Sequence, residues 1–202
     1  MPVFRSVRRA NPAADPFWRP LRPAAGAAGL QGWLGERGSL TARLRGHCGT
    51  FSLQRMGQRF APPLRDEAML LGQPIGRRAW VREVMLLADG VPVVWAHSVA
   101  HPRVLRDAWR LLRRIGARPV GDAVFARAQT RRGDIRVRRL RPGHPLHRAA
   151  CAAAGVDDGR ALWARRSAFV HRGRALWVTE VFLPDVQFLR PRCDAGRERR
   201  RR

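Results

Sequence analysis

The sequence contains no lysine. All 40 of its basic residues are arginine, against 15 acidic residues, and its formal net charge is +25. An arginine-only basic set in a chain rich in alanine, glycine and proline indicates a codon bias of the genome rather than selection for a charged surface. The charge therefore argues only weakly for nucleic acid, and we predict no specific nucleic-acid partner. It does predict that a small anionic molecule would be attracted.

Cysteine is scarce, and histidine is poorly placed for metal binding. The three cysteines have an odd count and no CxxC spacing, so neither a disulfide framework nor a zinc site is expected; they are Cys48, Cys151 and Cys193. The histidine pairs lack a third ligand at a suitable spacing, so we predict neither a metal nor another cofactor; these pairs are His97 with His101 and His144 with His147. The cysteine pattern indicates a reducing compartment, and we expect a cytoplasmic protein.

Long hydrophobic runs are also missing. No run approaches the ~18 apolar residues of a membrane-spanning helix, and the basic N-terminus lacks the apolar stretch of a signal peptide. Hydrophobic residues still make up 45% of the 202 residues, enough for one domain with a sizeable core. We predict that this domain covers residues 24–189. Residues 1–23 and 190–202 are rich in arginine, and we expect them to be disordered tails.

A predicted hairpin forms the centre of the chain. Residues 80–90, WVREVMLLADG, are largely apolar on both faces when written as a strand, which is typical of a central strand covered on both sides. Asp89 and Gly90 form a strong hairpin signal, and a second apolar run follows at residues 91–99.

The other segments predict an α+β fold. Proline and glycine make residues 61–76 a long loop, either a functional lid or a surface connection. Hairpins dominate and no βαβ repeat occurs, so we predict a single domain with an antiparallel sheet. The remaining predicted elements are helices at 24–34, from Ser39 onward, at 103–115 and at 144–154; extended segments at 50–60, 119–126 and 134–140; and a closing hairpin of 161–170 and 175–183 with Gly173 in its turn.

Two charged residues stand in strands that otherwise look buried. Burying a charge is costly unless something pairs with it. Arg82 therefore either pairs with a glutamate that ties neighbouring strands together, or faces a pocket that receives an anion. Glu180 is a lone carboxylate in an apolar strand and is the counterpart of Arg82.

Several segments, taken in order, resemble bacterial chorismate pyruvate-lyases. The resemblance runs from about Gly32 to Pro184, three quarters of the chain. It implies an antiparallel sheet of about six strands with helices packed on it, in a protein that is usually a monomer. The matching segments are GWLGERGSLTARL (32–44), WVREVMLLADG (80–90), IGARPVGDAVF (115–125), LWARRSAFV (162–170) and LWVTEVFLP (176–184).

This resemblance also implies an activity and a set of site residues. The family converts chorismate to 4-hydroxybenzoate and pyruvate, the entry step of ubiquinone synthesis, without metal or organic cofactor. The Arg of its W-x-R-E motif, here Arg82, holds the ring carboxylate, and the Glu of its T-E-x-F-L-P motif, here Glu180, lies by the ring hydroxyl. Two apolar substrate-binding positions fall on Leu40 and Val120.

One departure and two rival functions accompany the resemblance. Relatives often have an Arg where this chain has His97, so His97 or a neighbour such as Arg103 would replace that residue.

The same fold serves as an effector-sensing domain in transcription regulators, which normally carry a winged helix-turn-helix upstream. Residues 1–31 are too short and proline-rich to form one. A basic nucleic-acid-binding protein is the other rival and rests on net charge alone. Retention of Arg82 and Glu180 favours the enzyme.

Overall fold

A computed structural model describes residues 18–21, 29–125 and 129–192. Within these ranges the chain forms an antiparallel sheet with helices packed on it. The strands are β1 (Arg19–Pro20), β2 (Phe51–Ala61), β3 (Ala79–Ala88), β4 (Val91–Ala100), β5 (Thr130–Arg132), β6 (Arg136–Leu140), β7 (Leu162–His171) and β8 (Arg174–Phe182). The helices are α1 (Gln31–Leu34), α2 (Leu40–Arg45), α3 (Arg65–Leu71), α4 (Val120–Phe125) and α5 (Pro145–Ala154), with 3-10 helices at Pro102–Arg106, Arg110–Arg114 and Pro184–Phe188.

The strands form one sheet in the order β1-β6-β7-β8-β4-β3-β2, and β5 pairs with the far end of β7. Every pair is antiparallel. The predicted α+β fold with an antiparallel sheet is confirmed. The sheet has eight strands among the described residues instead of about six, because β1 and β5, two and three residues long, are too short to show alternation.

Both long hairpins turn where the sequence predicts. Asp89 and Gly90 have φ of 50° and 80°, and Arg172 and Gly173 have φ of 50° and 71°. Two consecutive residues with positive φ define the turn whose twist matches that of antiparallel strands. The Asp89 side chain also accepts hydrogen bonds from the backbone of residues 49 and 50, which joins the β3–β4 turn to the start of β2.

Strand β2 forms one outer edge of the sheet, and no described strand pairs with its free side. Its pairing with β3 shifts register between Arg55 and Gly57, so Met56 forms a bulge. Met56 and Phe60 are among the exposed large apolar side chains.

The sheet divides the charged side chains between its two faces. Because side chains alternate along a strand, neighbours in β3 point to opposite sides. The first face carries Arg82 and Glu180, and two apolar clusters pack on it, one around Trp33 of α1 and one around Trp109. The second face carries His97 and is covered by α3 and α5.

Three segments differ from the prediction. The predicted loop at 61–76 contains α3, and the predicted extended segment at 119–126 contains α4. The predicted helix at 103–115 is two 3-10 helices broken at Asp107, and its apolar side chains Leu105, Trp109, Leu112 and Ile115 are buried. Of the predicted helix at 24–34, only α1 is seen, and residues 22–28 lie outside the described part.

The predicted domain boundary at residue 24 is too late. Trp18 is 2% exposed, and β1, which follows it, pairs with β6. At the other end, Arg192 donates to the backbone oxygens of Gly46 and Cys48. Residues 1–17 and 193–202, the bulk of both predicted tails, lie outside the described residues. No helix in the described ranges is long and apolar enough to cross a membrane.

Candidate active site

A cavity lies on the first face of the sheet, between the two apolar clusters. It encloses about 500 Å³ of atom-free space, including the part open to solvent. All four residues that the resemblance singles out line it. The full lining is Gly38, Leu40, Thr41, Leu53, Arg82, Val84, Leu86, Ala96, Ser98, Pro119, Val120, Gly121, Arg132, Phe169, Val178 and Glu180.

Strand register places Arg82 and Glu180 in the same cavity but apart from each other. Arg82 of β3 lies opposite Ser98 of β4, and Glu180 of β8 lies opposite Ala96 of β4. The two charged residues are thus two strands and two residues apart, a Cα separation of about 12 Å from standard sheet spacings. The small side chains of Ser98 and Ala96 between them leave the space that a flat ligand needs.

Arg82 is a buried cation with no carboxylate partner in the described part of the chain. It is 1% exposed, and its Nη2 donates to the carbonyl oxygens of Gly116 and Arg118, both at 2.9 Å. Its Nε is buried and has no hydrogen-bond partner among the described residues. Burial, together with the charge of Arg55, lowers the pKa of Arg82 to about 10, so it remains a cation at neutral pH. This geometry favours the pocket-facing hypothesis for Arg82.

The alternative hypothesis, an Arg–Glu pair that ties strands, is realised by other residues. Glu83 lies on the second face and accepts hydrogen bonds from Arg59 of β2 at 2.7 and 3.3 Å. Glu83 therefore points away from the cavity and does not neutralise the charge of Arg82.

Glu180 is held by a buried arginine that sequence analysis did not single out. Arg165 of β7 lies directly opposite Glu180, and its Nε donates to Glu180 Oε2 at 2.5 Å. Arg165 is fully buried, and its Nη1 donates to the carbonyl oxygens of Trp33 and Glu36 at 2.9 and 2.8 Å. Arg165 thus fixes Glu180 relative to the segment that joins α1 and α2.

A second arginine, Arg132 of β5, lines the cavity beside Glu180. Its Nη2 lies 3.6 Å from Glu180 Oε2, and its Nε donates to Ser167 Oγ at 2.9 Å. Its Nη1 faces three carbonyl oxygens, those of residues 36, 37 and 38. Burial lowers the pKa of Arg132 to about 10, although the charge of Glu180 opposes this shift. Sequence analysis missed Arg132 because β5 shows no strand signal.

His97 does not line the cavity. It lies on the second face, where Glu83, His97, Thr179 and Arg166 occupy one row across four strands. Its Nε2 lies 3.3 Å from Glu67 of α3 and its Nδ1 lies 3.4 Å from Glu83. The alternative position Arg103 is exposed and is not part of the lining either. The cavity's second cation is Arg132.

Leu40 and Val120 supply apolar walls from two different helices. Leu40 begins α2, whose N-cap Ser39 accepts a hydrogen bond from Ala42 N at 3.2 Å, as the sequence predicts. Val120 begins α4, which directly follows the carbonyl groups bound by Arg82. Both side chains are buried. Arg82 therefore sets the position of the α4 wall as well as offering a donor to the cavity.

These residues suit a flat anionic ligand. A guanidinium binds a planar carboxylate well, and apolar walls suit a ring. Glu180 adds an acceptor about 12 Å from Arg82 by the same sheet spacings, and the guanidinium of Arg132 adds a donor beside Glu180. Among the described residues, no group of three or more His, Cys, Asp or Glu side chains could hold a metal ion.

Comparison with known proteins identifies the fold and the family of the chain. Solved structures that share its fold include the C-terminal domain of PhnF (TM-score 0.54, 16% identity, 75% of this chain and 92% of that one) and the effector domain of PhnF from Mycobacterium smegmatis (TM-score 0.53, 17% identity, 73% and 90%). At these identities the likeness concerns the fold alone.

Sequence relatives are much closer. A protein of Aromatoleum aromaticum named probable chorismate pyruvate-lyase is 48% identical over 169 residues, which cover 83% of this chain and 91% of the relative. One of the same name from Thiobacillus denitrificans is 45% identical over 155 residues, 77% of this chain and 82% of the relative. The family model described as Chorismate lyase matches residues 18–191. The chain belongs to the chorismate lyase family.

Proposed function

We propose that this protein is a chorismate pyruvate-lyase, which eliminates pyruvate from chorismate and leaves 4-hydroxybenzoate for ubiquinone synthesis. Family membership and the names of the relatives support a lyase acting on chorismate. The observation that carries the proposal is the cavity itself. In it, a buried arginine whose Nε has no partner in the described part of the chain and a separately held glutamate face one apolar space.

The reaction does not require the protein to form a covalent bond with the substrate. The bond between ring carbon C3 and the ether oxygen breaks, C4 loses its hydrogen, and the enolpyruvyl methylene gains one to give pyruvate. The ring becomes aromatic, which supplies the driving force. The protein must therefore hold the carboxylates, orient the side chain and exclude water. Either direct transfer of the hydrogen to the methylene carbon or transfer through a base fits this balance.

The proposal gives a role to four of the residues that line the cavity. Arg82 binds the ring carboxylate through the nitrogen that has no partner among the described residues. Glu180, positioned by Arg165, accepts a hydrogen bond from the ring hydroxyl. Leu40 and Val120 hold the ring between them, which excludes water from the breaking bond.

The proposal also covers the compartment, the oligomeric state, the cofactors and the partners of the protein. We propose a cytoplasmic monomer that acts without metal or organic cofactor and without a nucleic-acid partner. Cys48 and Cys151 are buried free thiols, which agrees with a reducing compartment. The effector domains that share the fold do not favour a sensor, because relatives at 45–48% identity carry the lyase name.

One assay tests the function. The purified protein is incubated with chorismate, and 4-hydroxybenzoate and pyruvate are quantified separately, with Arg82→Ala as the control that lacks the carboxylate contact. We expect both products in equal amounts and a large loss in the control. Wild-type protein that binds 4-hydroxybenzoate but forms neither product would point instead to a sensor.

A further inference from the structure

The proposed substrate carries two carboxylates, and Arg82 accounts for only one of them. The second belongs to the enolpyruvyl group, which leaves as pyruvate. Of the residues that line the cavity in the described part of the chain, Arg82 and Arg132 are the two that carry positive charge. Arg132 is therefore the available cation for the second carboxylate.

The hydrogen bonds of Arg132 leave one nitrogen available. Ser167 fixes Nε, and the backbone of residues 36–38 fixes Nη1. Nη2 makes no hydrogen bond within the described residues, and its ion pair with Glu180 is long, at 3.6 Å. Phe169, another lining residue, lies under the guanidinium, 5.1 Å from ring centroid to Cζ. The guanidinium is thus held in place with one donor edge towards the cavity.

The position of Arg132 matches the chemistry of the leaving group. In chorismate the hydroxyl is on ring carbon C4 and the enolpyruvyl ether is on the adjacent C3. If Glu180 receives the hydroxyl, a cation beside Glu180 lies next to the ether. A cation there also offsets the repulsion between Glu180 and a second carboxylate.

We propose that Arg132 binds the carboxylate of the enolpyruvyl group, an inference that rests on the proposed function. The two cavity arginines then bind different carboxylates of the substrate. Arg82 contacts a group that is present before and after the reaction, whereas Arg132 contacts a group that 4-hydroxybenzoate lacks. Arg132 therefore favours substrate over product.

The test compares substrate turnover with product binding. Arg132→Gln removes the charge, Arg132→Lys keeps a charge without the planar fork, and Arg131→Gln is the matched control because Arg131 is the exposed neighbour in β5. For each variant, kcat/KM for chorismate, Kd for 4-hydroxybenzoate and the melting temperature are measured.

We expect Arg132→Gln to lower kcat/KM by about 100-fold, the scale of a lost charge-assisted contact, while Kd for 4-hydroxybenzoate changes less than about threefold. Arg132→Lys should lie between this variant and wild type, and Arg131→Gln should match wild type. Because Arg132 also binds the backbone of residues 36–38, a purely structural role would weaken product binding and turnover together.

Three results would overturn the inference. Equal losses in product affinity and kcat/KM would make Arg132 only a support for the segment between α1 and α2. An unchanged kcat/KM in folded Arg132→Gln would remove it from the site while leaving the proposed function intact. A wild-type protein that does not convert chorismate would overturn the proposed function and this inference together, which distinguishes that failure from the others.

Discussion

Arg82 makes structural hydrogen bonds and still keeps a donor for a ligand. Its Nη2 binds the carbonyl groups that precede α4, and its Nε is unpaired among the described residues. A buried donor without a partner is costly, and a ligand carboxylate bound at this nitrogen would remove that cost. This cost links the sequence observation, a charge in an apolar strand, to a binding role.

Replacing Arg82 should weaken substrate and product alike. We expect Arg82→Ala to raise both KM for chorismate and Kd for 4-hydroxybenzoate, at a cost of roughly 2–4 kcal/mol for a charge-assisted, buried contact. Arg82→Lys should recover part of this loss, since charge remains but the fork geometry does not. Steady-state kinetics and calorimetric titration measure the two quantities.

The competing explanation for Arg82 is purely structural. Loss of its bonds to Gly116 and Arg118 would lower the melting temperature and shift α4. A variant that melts earlier but keeps wild-type KM and product affinity at a temperature where it is folded would contradict the binding role.

Glu180 should matter more for the chemical step than for binding. Glu180→Gln keeps the size and one acceptor oxygen but removes the charge, and we expect kcat to fall at least tenfold, about 1.4 kcal/mol, while Kd for 4-hydroxybenzoate changes less. The measurement is single-turnover conversion of chorismate beside a product titration.

The outcome for Glu180→Gln has a structural control. The substitution also leaves Arg165 and Arg132 without their counter-charge, so the melting temperature should fall. Glu83→Gln is the matched variant, because Glu83 is also bonded by an arginine but lies on the second face, away from the cavity. If both variants lose kcat equally, the effect is not specific to the cavity.

Among elements, α3 covers a row of buried charges on the second face. Glu67 of α3 is 1% exposed and contacts both His97 of β4 and Arg166 of β7. Burial disfavours the ionised form of Glu67, but the attraction of His97 and Arg166 outweighs it and lowers the pKa of Glu67 to about 2. Burial lowers the pKa of His97, but the two carboxylates Glu67 and Glu83 together raise it by more. The resulting pKa of His97 is about 9.

This pairing predicts a stability that decreases at alkaline pH. Because the folded pKa of His97 is raised from 6.5 to about 9, its contribution is fully present below pH 6.5 and is lost as pH rises through about 9, at about 1.4 kcal/mol per pH unit in between. Removing one partner of a buried ion pair costs roughly 3–5 kcal/mol, so His97→Gln should melt earlier at pH 6.5.

Denaturant unfolding at several pH values checks this expectation. The difference in unfolding free energy between wild type and His97→Gln should shrink between pH 6.5 and 9. A difference that stays constant over that range would contradict a protonated His97.

The sequence predicts the long hairpins better than the short elements, for physical reasons. The β3–β4 and β7–β8 pairs are long enough for alternation to show, and Asp89-Gly90 has the turn chemistry that such a hairpin needs. In residues 61–76 the prolines and glycines at both ends hide the helical segment RDEAMLL of α3. Before α4, Pro119 suggests a turn, although a proline at a helix start followed by Asp122 is also an N-terminal helix signal.

The candidate site was predictable only in part for the same reason. Arg82 and Glu180 stand out because each is a charge in an apolar strand. Arg132 lies in a three-residue strand among other arginines, so nothing local distinguishes it. Arg165 and Arg166 are adjacent and both buried, yet they point to opposite faces, and only the cross-strand register shows which one meets Glu180.

For the whole molecule, Trp18 ties the N-terminal side of the described chain to the domain. Its ring lies 4.3 Å from Arg166 Cζ, and its Nε1 donates to Asp66 Oδ2 at 3.4 Å. We expect removal of residues 1–17 and 193–202 to leave kcat/KM within about tenfold of wild type, ~1.4 kcal/mol. Extending the deletion through residue 23 removes Trp18, and loss of a buried tryptophan costs roughly 3–5 kcal/mol.

Melting curves and kinetics on the two truncations separate these cases. The longer deletion should melt roughly 10 °C earlier, by the usual conversion for a domain of this size. A shorter truncation that folds but loses more than tenfold in kcat/KM would show that a terminal segment shapes the site.

The bulge in β2 has a consequence for self-assembly. A straight edge of eleven residues would offer its unpaired backbone groups to the same edge of another copy, the route by which sheets aggregate. The extra residue Met56 interrupts that row, and the guanidinium group of Arg55 would repel its counterpart on a second molecule. Concentrated protein should therefore stay dispersed, whereas deletion of Met56 combined with Arg55→Val should produce growing particles in light scattering.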